Sequence, residues 1–181
     1  MVTAMAEGLI LYRSKYGATR KYADWLHEMT GFAVQETHKA LPQQAERYGV
    51  IVLCGGIYAS GIAGLPFLRK NLDRLRGKKL AILCVGASPY EENALRALRK
   101  HDLKDGLEEI PLFYARGMWN EKQMTWKDRN LCKLLQKSVE KKDPRTYEPW
   151  MKALMCAAGQ VCDWTDRAYL APLLEYLEID P

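Results

Sequence analysis

Three short apolar runs constrain this chain more than any other feature: Leu9-Ile10-Leu11-Tyr12, Val50-Ile51-Val52-Leu53-Cys54 and Leu80 to Val85. Each has the length of a strand and is bounded by turn residues. A run with no polar alternation suits a parallel strand covered on both faces. Helical patterns separate the runs. Strands alternating with helices at this spacing imply an α/β doubly wound parallel sheet.

The remaining elements follow from period and punctuation. Gly8 to Arg13 reads as the first strand, and Phe32 to Thr37 as the second. Ala18 to Met29 is a helix, with Ala18, Tyr22, Leu26 and Met29 on one face. Leu65 to Leu75 is a helix with Pro66 in its first turn and Gly77 past its end. Ser88-Pro89-Tyr90-Glu91 matches a capping box and starts a helix reaching about Leu103. Pro111 to Ala115 is the fifth strand, with Pro111 at its start, where a missing N–H costs little. The last helix spans Asp166 to Leu177, kinked or started late by Pro172. Five parallel strands suggest the order 2-1-3-4-5, with ligands at the carboxyl ends of strands one and three.

One stretch breaks the alternation. Gly117 to Cys162 is too long for a structureless loop. Thr125 is an N-cap with Asp128 three residues on. Leu131, Leu134, Leu135 and Val139, with Cys132 beside them, form an apolar stripe expected to pack on the domain. Lys127, Arg129, Lys133, Lys137, Lys141 and Lys142 form a basic face turned outward. Trp150 to Ala158 is a second helix. The expectation is a single domain over residues 1–181 with a helical insert at about 118–160.

Composition bounds the setting. The chain has 181 residues, 48% hydrophobic and 27% charged, enough for one buried core. No apolar run can span a bilayer. Met1 to Gly8 lacks a basic region followed by an apolar core, so no secretory leader is expected. Cys54, Cys84, Cys132, Cys156 and Cys162 are odd in number and show no C-x-x-C spacing, which points to reduced thiols and a cytoplasmic setting. His27, His38 and His101 have no metal-ligand spacing, and no metal is expected. The net charge of +5 is spread widely, and no nucleic-acid partner is expected.

The chemistry lies in the turn after the first strand, Ser14-Lys15-Tyr16-Gly17-Ala18-Thr19. A helix N-terminus carries unpaired N–H groups and partial positive charge, and a short hydroxyl-bearing loop with one glycine lets them close on a phosphate. The turn has a single glycine, so it is not the G-x-G-x-x-G of a dinucleotide site, and G-x-x-x-x-G-K-[ST] is absent. The ends of strands one and three, Arg13-Ser14 and Cys54-Gly55, lack the carboxylates of a phospho-acceptor pocket.

This loop resembles that of the flavodoxin family, [ST]-x-[ST]-G-x-T, with Ser14, Gly17 and Thr19 in register and Tyr16 replacing the middle hydroxyl. The resemblance continues at Gly55-Gly56-Ile57-Tyr58-Ala59-Ser60-Gly61, where flavodoxins place a loop against the flavin ring. It continues again at Gly86-Ala87-Ser88-Pro89-Tyr90, on the ring's other side. It covers about Leu9 to Arg116 and the final helix. It implies an FMN cofactor whose phosphate sits at Tyr16 to Thr19, with Ser14 and Lys15 completing the loop. It places Gly56, Ile57, Tyr58, Ala59, Ser60 and Gly61 on one side of the ring, and Ala87, Ser88, Pro89 and Tyr90 on the other. Tyr58 or Tyr90 would stack on its π-face.

Length and insert resemble the protoporphyrinogen dehydrogenase branch more than short electron carriers. That branch also lacks the middle hydroxyl and carries basic, aromatic-rich sequence before its last helix. Arg116-Gly117-Met118-Trp119 and Trp126-Lys127-Asp128-Arg129 are similar in kind, and no catalytic residue is transferred. The function implied is electron transfer or a small flavin-dependent oxidoreductase. A protoporphyrinogen- or quinone-linked dehydrogenase and a flavin-free partner-binding module are the alternatives. The partners implied are a redox protein or a quinone- or porphyrinogen-type substrate, with a peripheral membrane contact through the basic insert.

Overall fold

The computed structural model describes residues 7–179; most of the stretch inspected for a leader lies outside them. The elements run β1 (Gly8–Arg13), α1 (Ala18–Thr30), β2 (Ala33–Glu36), α2 (Pro42–Ala45), β3 (Val50–Tyr58), β4 (Gly61–Ile62), α3 (Leu65–Asn71), β5 (Lys79–Gly86), α4 (Glu92–Asp102) and β6 (Leu112–Arg116). Then come β7 (Met118–Asn120), α5 (Trp126–Glu140), α6 (Pro149–Ala157), β8 (Val161–Asp163) and α7 (Ala171–Leu177).

The central sheet has the order β2-β1-β3-β5-β6, every neighbouring pair parallel, with β4 added antiparallel to β3. Counting only the parallel strands, this is the 2-1-3-4-5 order expected. Each apolar run is buried because it feeds two cores. Ile10, Val52, Leu83 and Val85 face α1 and α7, which contribute Tyr22, Leu26, Leu173 and Leu177. Leu11, Leu53, Ile82 and Cys84 face α3 and the segment after α4, which contribute Leu68, Leu103 and Leu107. The two-faced burial explains why no polar residue interrupts these strands.

The structure departs from expectation at several boundaries. Strand β3 continues to Tyr58, because Ile57 and Tyr58 pair with Ile62 and Gly61 of β4. Ser88 does not cap a helix; α4 begins at Glu92 after Glu91, with no side-chain cap. The Ser88 segment is a non-helical bend instead, where the Tyr114 hydroxyl donates to the Ser88 carbonyl and Arg116 Nε to the Ala87 carbonyl at 3.0 Å. Pro172 falls in the first turn of α7, so the last helix starts late, after a 3-10 turn over Arg167–Leu170.

The insert is a small body with its own core. Strands β7 and β8 pair antiparallel and bring its two ends together. Trp119, Val139, Met151, Leu154 and Ala157 fill it. Thr125 caps α5 as expected, its hydroxyl accepting from Asp128 N at 3.3 Å. The expected leucine packing fails: Leu131, Leu134 and Leu135 are exposed, and α5 buries Gln136 and Val139 instead. The physical reason is a polar anchor. Glu121 Oε1 accepts from Gln136 Nε2 at 2.8 Å, Trp119 Nε1 at 3.3 Å and Gly159 N at 3.3 Å. Arg129 donates to the carbonyls of Glu121, Lys122 and Met124. Satisfying these groups sets the rotation of the helix.

Gly55 shows how tightly β3 is overlaid. A Cβ there would lie 2.2 Å from the Ala63 carbonyl oxygen. That backbone cannot yield easily, so Gly55→Ala is expected to cost about 1–3 kcal/mol, the usual range for overpacking. Urea denaturation checks this.

Candidate functional site

The carboxyl ends of β1, β3 and β5 open on one cavity of about 320 Å³. Sheet register builds it. Arg13 pairs with Gly55, and Gly56 with Val85, so the turns after these strands lie side by side. From the first turn come Tyr16, Ala18 and Thr19; from β3 and its turn come Gly56, Ile57, Tyr58 and Ala59; Ala87 follows β5. The insert closes the far side with Met118, Trp119, Met124, Asp128, Leu131, Cys132 and Leu135.

The Ser14–Thr19 turn is pre-shaped. Ser14 Oγ accepts from Gly17 N at 3.1 Å, and Gly17 has φ +100°, a left-handed conformation that favours glycine. A side chain at Gly17 would meet open space, so backbone conformation, not crowding, is what demands glycine here. Lys21 N makes the first α1 bond, to the Gly17 carbonyl at 3.0 Å. The N–H groups of Ala18, Thr19 and Arg20 precede that bond and find no acceptor among the described residues. Thr19 is 2% exposed, yet it borders the cavity.

Tyr16 does what a small hydroxyl residue at its position could not. Its hydroxyl donates to Asp128 Oδ2 and accepts from Thr125 N at 3.2 Å. Lys15 Nζ reaches the same Asp128 carboxylate, while Lys15 N donates to the Tyr58 hydroxyl at 3.0 Å. The Tyr16 and Tyr58 rings meet edge to face at 6.3 Å. Three segments are thus tied at one corner of the cavity. Lys15 first and Tyr16 second hold the Asp128 carboxyl below its usual range, and Asp128 raises Lys15. Burial raises the Tyr58 phenol, opposed by Lys15.

Not every residue singled out in the sequence reaches this cavity. Ser14 and Lys15 shape the turn. Ser88 and Pro89 line a neighbouring pocket with Leu95, Leu98 and Tyr114. Tyr90 is 57% exposed, with its ring 6.1 Å from that of Tyr114. Ala59 and Ser60 form the β3–β4 turn, and Gly61 opens β4. Gly61 has φ +99°, and a Cβ there would lie 2.7 Å from the Asp102 carboxylate. Asp102, itself buried, accepts from Ile62 N at 2.7 Å and so holds this turn from below.

Past the end of β5, the cavity residues that sequence reasoning did not assign to the cofactor come from Gly117 onward. Gly117 N donates to the Gly86 carbonyl at 2.8 Å, and a Cβ on Gly117 would lie 3.2 Å from that of Ala18. The signal was Arg116-Gly117-Met118-Trp119 at the carboxyl end of a strand, the ligand side of such a sheet. Among the described residues no cluster of His, Cys, Asp and Glu can hold a metal, and all five cysteines are free.

A family model described as a flavodoxin domain matches residues 9–146. The chain belongs to the flavodoxin domain family. The match ends just after α5, so it takes in part of the insert and leaves out α6 and the final helix. Among solved structures, this flavodoxin domain is similar to two-electron reduced Megasphaera elsdenii flavodoxin (15% identity, 59% of this chain and 82% of that chain, TM-score 0.45). It is similar also to the Trp repressor binding protein from Bacillus subtilis (12% identity, 61% and 85%, TM-score 0.46). A Streptococcus pneumoniae TIGR4 flavodoxin has 18% identity, 59% and 83% coverage, and a TM-score of 0.43. No curated protein matches the sequence. The protoporphyrinogen dehydrogenase branch is not singled out by these matches. No helix among the described residues is long and apolar enough to cross a membrane.

The Lys15–Asp128–Tyr16 corner makes a pH prediction. A carboxyl held below its ordinary value of 3.8 adds stability above that value and loses it as pH falls through the lower, folded one. Asp128→Asn is therefore expected to lower stability by about 0.5–1 kcal/mol at neutral pH, as for a partly exposed, solvent-screened pair. The gap between variant and parent should close below the ordinary carboxyl range. Thermal melts across pH measure it.

Proposed function

We propose that this flavodoxin domain binds FMN in the cavity above β1, β3 and β5 and is a redox protein. The carrying observation is the meeting, in one cavity, of a free helix N-terminus with an apolar, aromatic-walled slot. The residues present fit the group. Ala18 N, Thr19 N and Arg20 N, with the Thr19 hydroxyl, offer donors to a phosphate. Gly56 leaves no side chain on that wall, since a Cβ would lie 2.6 Å from the Tyr58 hydroxyl. Tyr58 and Ile57 present an apolar wall, and Trp119 and Met118 line the same cavity from the insert. Ser60, Gly61, Ser88, Pro89 and Tyr90 would act through loop shape. Bound FMN supplies one- or two-electron transfer, and the chain supplies orientation, exclusion of water and local charge.

A small oxidoreductase is favoured over a bare electron carrier, because the insert walls in the cavity that a carrier would leave open. Asp128 is the only charged side chain among the lining residues. The Arg116 guanidinium, the kind of group a substrate carboxylate would need, is already engaged: it lies 4.0 Å over the Trp164 ring and donates to the Ala87 carbonyl. Arg129 is engaged with three carbonyls. An uncharged quinone-type acceptor therefore suits the cavity better than a polycarboxylate porphyrinogen. A redox protein partner would need access that the insert restricts. A flavin-free binding module is the reading to which a colourless protein would point.

Purified protein is expected to be yellow, or to become so on reconstitution with FMN. Thr19→Val keeps shape but removes a donor, and should weaken FMN by about 1.5–3 kcal/mol, the worth of a bond to a charged group. Flavin fluorescence titration reads this. Unchanged affinity would place the phosphate elsewhere.

A further inference from the structure

The leucine stripe of α5 is turned away from the protein core. Leu131 is 51%, Leu134 65% and Leu135 43% exposed, and Trp126 at the helix start is 69% exposed. The orientation is enforced, not incidental. Thr125 caps the helix, Asp128 is held by Lys15 and Tyr16, Arg129 grips three carbonyls, and Gln136 binds Glu121. Turning the leucines inward would break all of these contacts. A fixed apolar strip of this kind marks a surface made to be covered.

Charge identifies what covers it. Lys133, Lys137 and Lys141 follow one another at four-residue intervals beside the leucines, with Lys127 before and Lys142 after. Lys127, Lys137, Lys141 and Lys142 form no ion pair among the described residues. Glu140 is the one exposed acidic side chain within α5. Leucines bordered along one edge by a row of lysines make a helix that lies in a lipid headgroup layer. The lysines would meet lipid phosphates while their stems follow the apolar strip. Leu131 and Leu135 also line the cavity, so whatever covers the strip reaches the cavity wall.

We propose that α5 docks this domain on an anionic bilayer surface, with Leu131, Leu134 and Leu135 inserted and the lysines on the headgroups. The docking goes beyond the redox reading and does not depend on which acceptor the cavity takes.

The test is co-sedimentation of the full chain with sucrose-loaded vesicles of phosphatidylglycerol and phosphatidylcholine in equal parts, at low salt. The protein is expected to pellet with these vesicles, to be released by added salt, and to stay in solution with phosphatidylcholine alone. Leu134 lies outside the cavity, so Leu134→Asp should keep FMN binding while reducing vesicle affinity about tenfold. Lys137→Gln with Lys141→Gln should lower it by a similar factor. Thermal melts confirm that each variant folds; should Leu134→Asp not fold, the lysine pair carries the test alone. Absence of binding to the anionic vesicles overturns the proposal. So does binding that folded variants leave unchanged, or equal binding to phosphatidylcholine. If sedimentation velocity shows a dimer that Leu134→Asp dissociates, and the vesicles bind nothing, the face belongs to a second copy and the proposal fails.

Discussion

The parallel pairing of β1 with β3 is the constraint from which the rest follows. Six register pairs, from Gly8 with Val50 to Arg13 with Gly55, place two strand ends at one level. The chain must then leave both strands on the same side of the sheet. The hydroxyl-bearing turn and the Gly56–Ala59 wall become neighbours without any direct attraction between them. Lys15 N bonding to the Tyr58 hydroxyl locks a proximity that the ladder has already created.

The insert depends on a different kind of force. Its apolar core is small, and its shape is set by the pairing of the buried Gln136 amide with the half-buried Glu121, and by the half-buried Arg129. Glu121 is the centre: burial would raise its carboxyl, but bonds from Gln136, Gly159 and Trp119, with Lys133 nearby, outweigh that and lower it. One carboxylate thereby joins the turn after β7, the middle of α5 and the end of α6. Polar satisfaction takes precedence over leucine burial here because an unpaired buried group costs more than an exposed leucine. The helix is left with an apolar face outward.

Function on this sheet is divided by position. The elements through β5 carry the Ser14–Thr19 turn and the Gly56–Ala59 wall, to which the proposed function assigns the phosphate and the ring, and the segment from Gly117 onward closes the opposite side. Asp128 joins the two parts at the turn itself. The tyrosine at the third loop position, which replaces the family's small hydroxyl, makes this junction because its phenol reaches further than a serine could.

Much of this was legible in the chain. Continuous apolar runs bounded by turns name parallel strands, since only two-faced burial tolerates them, and the alternation with helices leaves few topologies. Thr125 as a cap was also readable, and Pro172 as either a kink or a late start, because both are local rules of backbone pairing; the structure chose the late start. Tertiary structure alone decided the extension of β3 to Tyr58, the non-helical path of Ser88 to Glu91, and the outward turn of Leu131, Leu134 and Leu135. Each depends on a partner distant in sequence: β4 with its Asp102 support, Tyr114 and Arg116, and Glu121 with Lys15. Periodicity reports which residues share a face. It does not report which polar groups will claim the space beneath that face, because hydrogen-bond partners far apart in the chain are chosen only when the sheet brings them together.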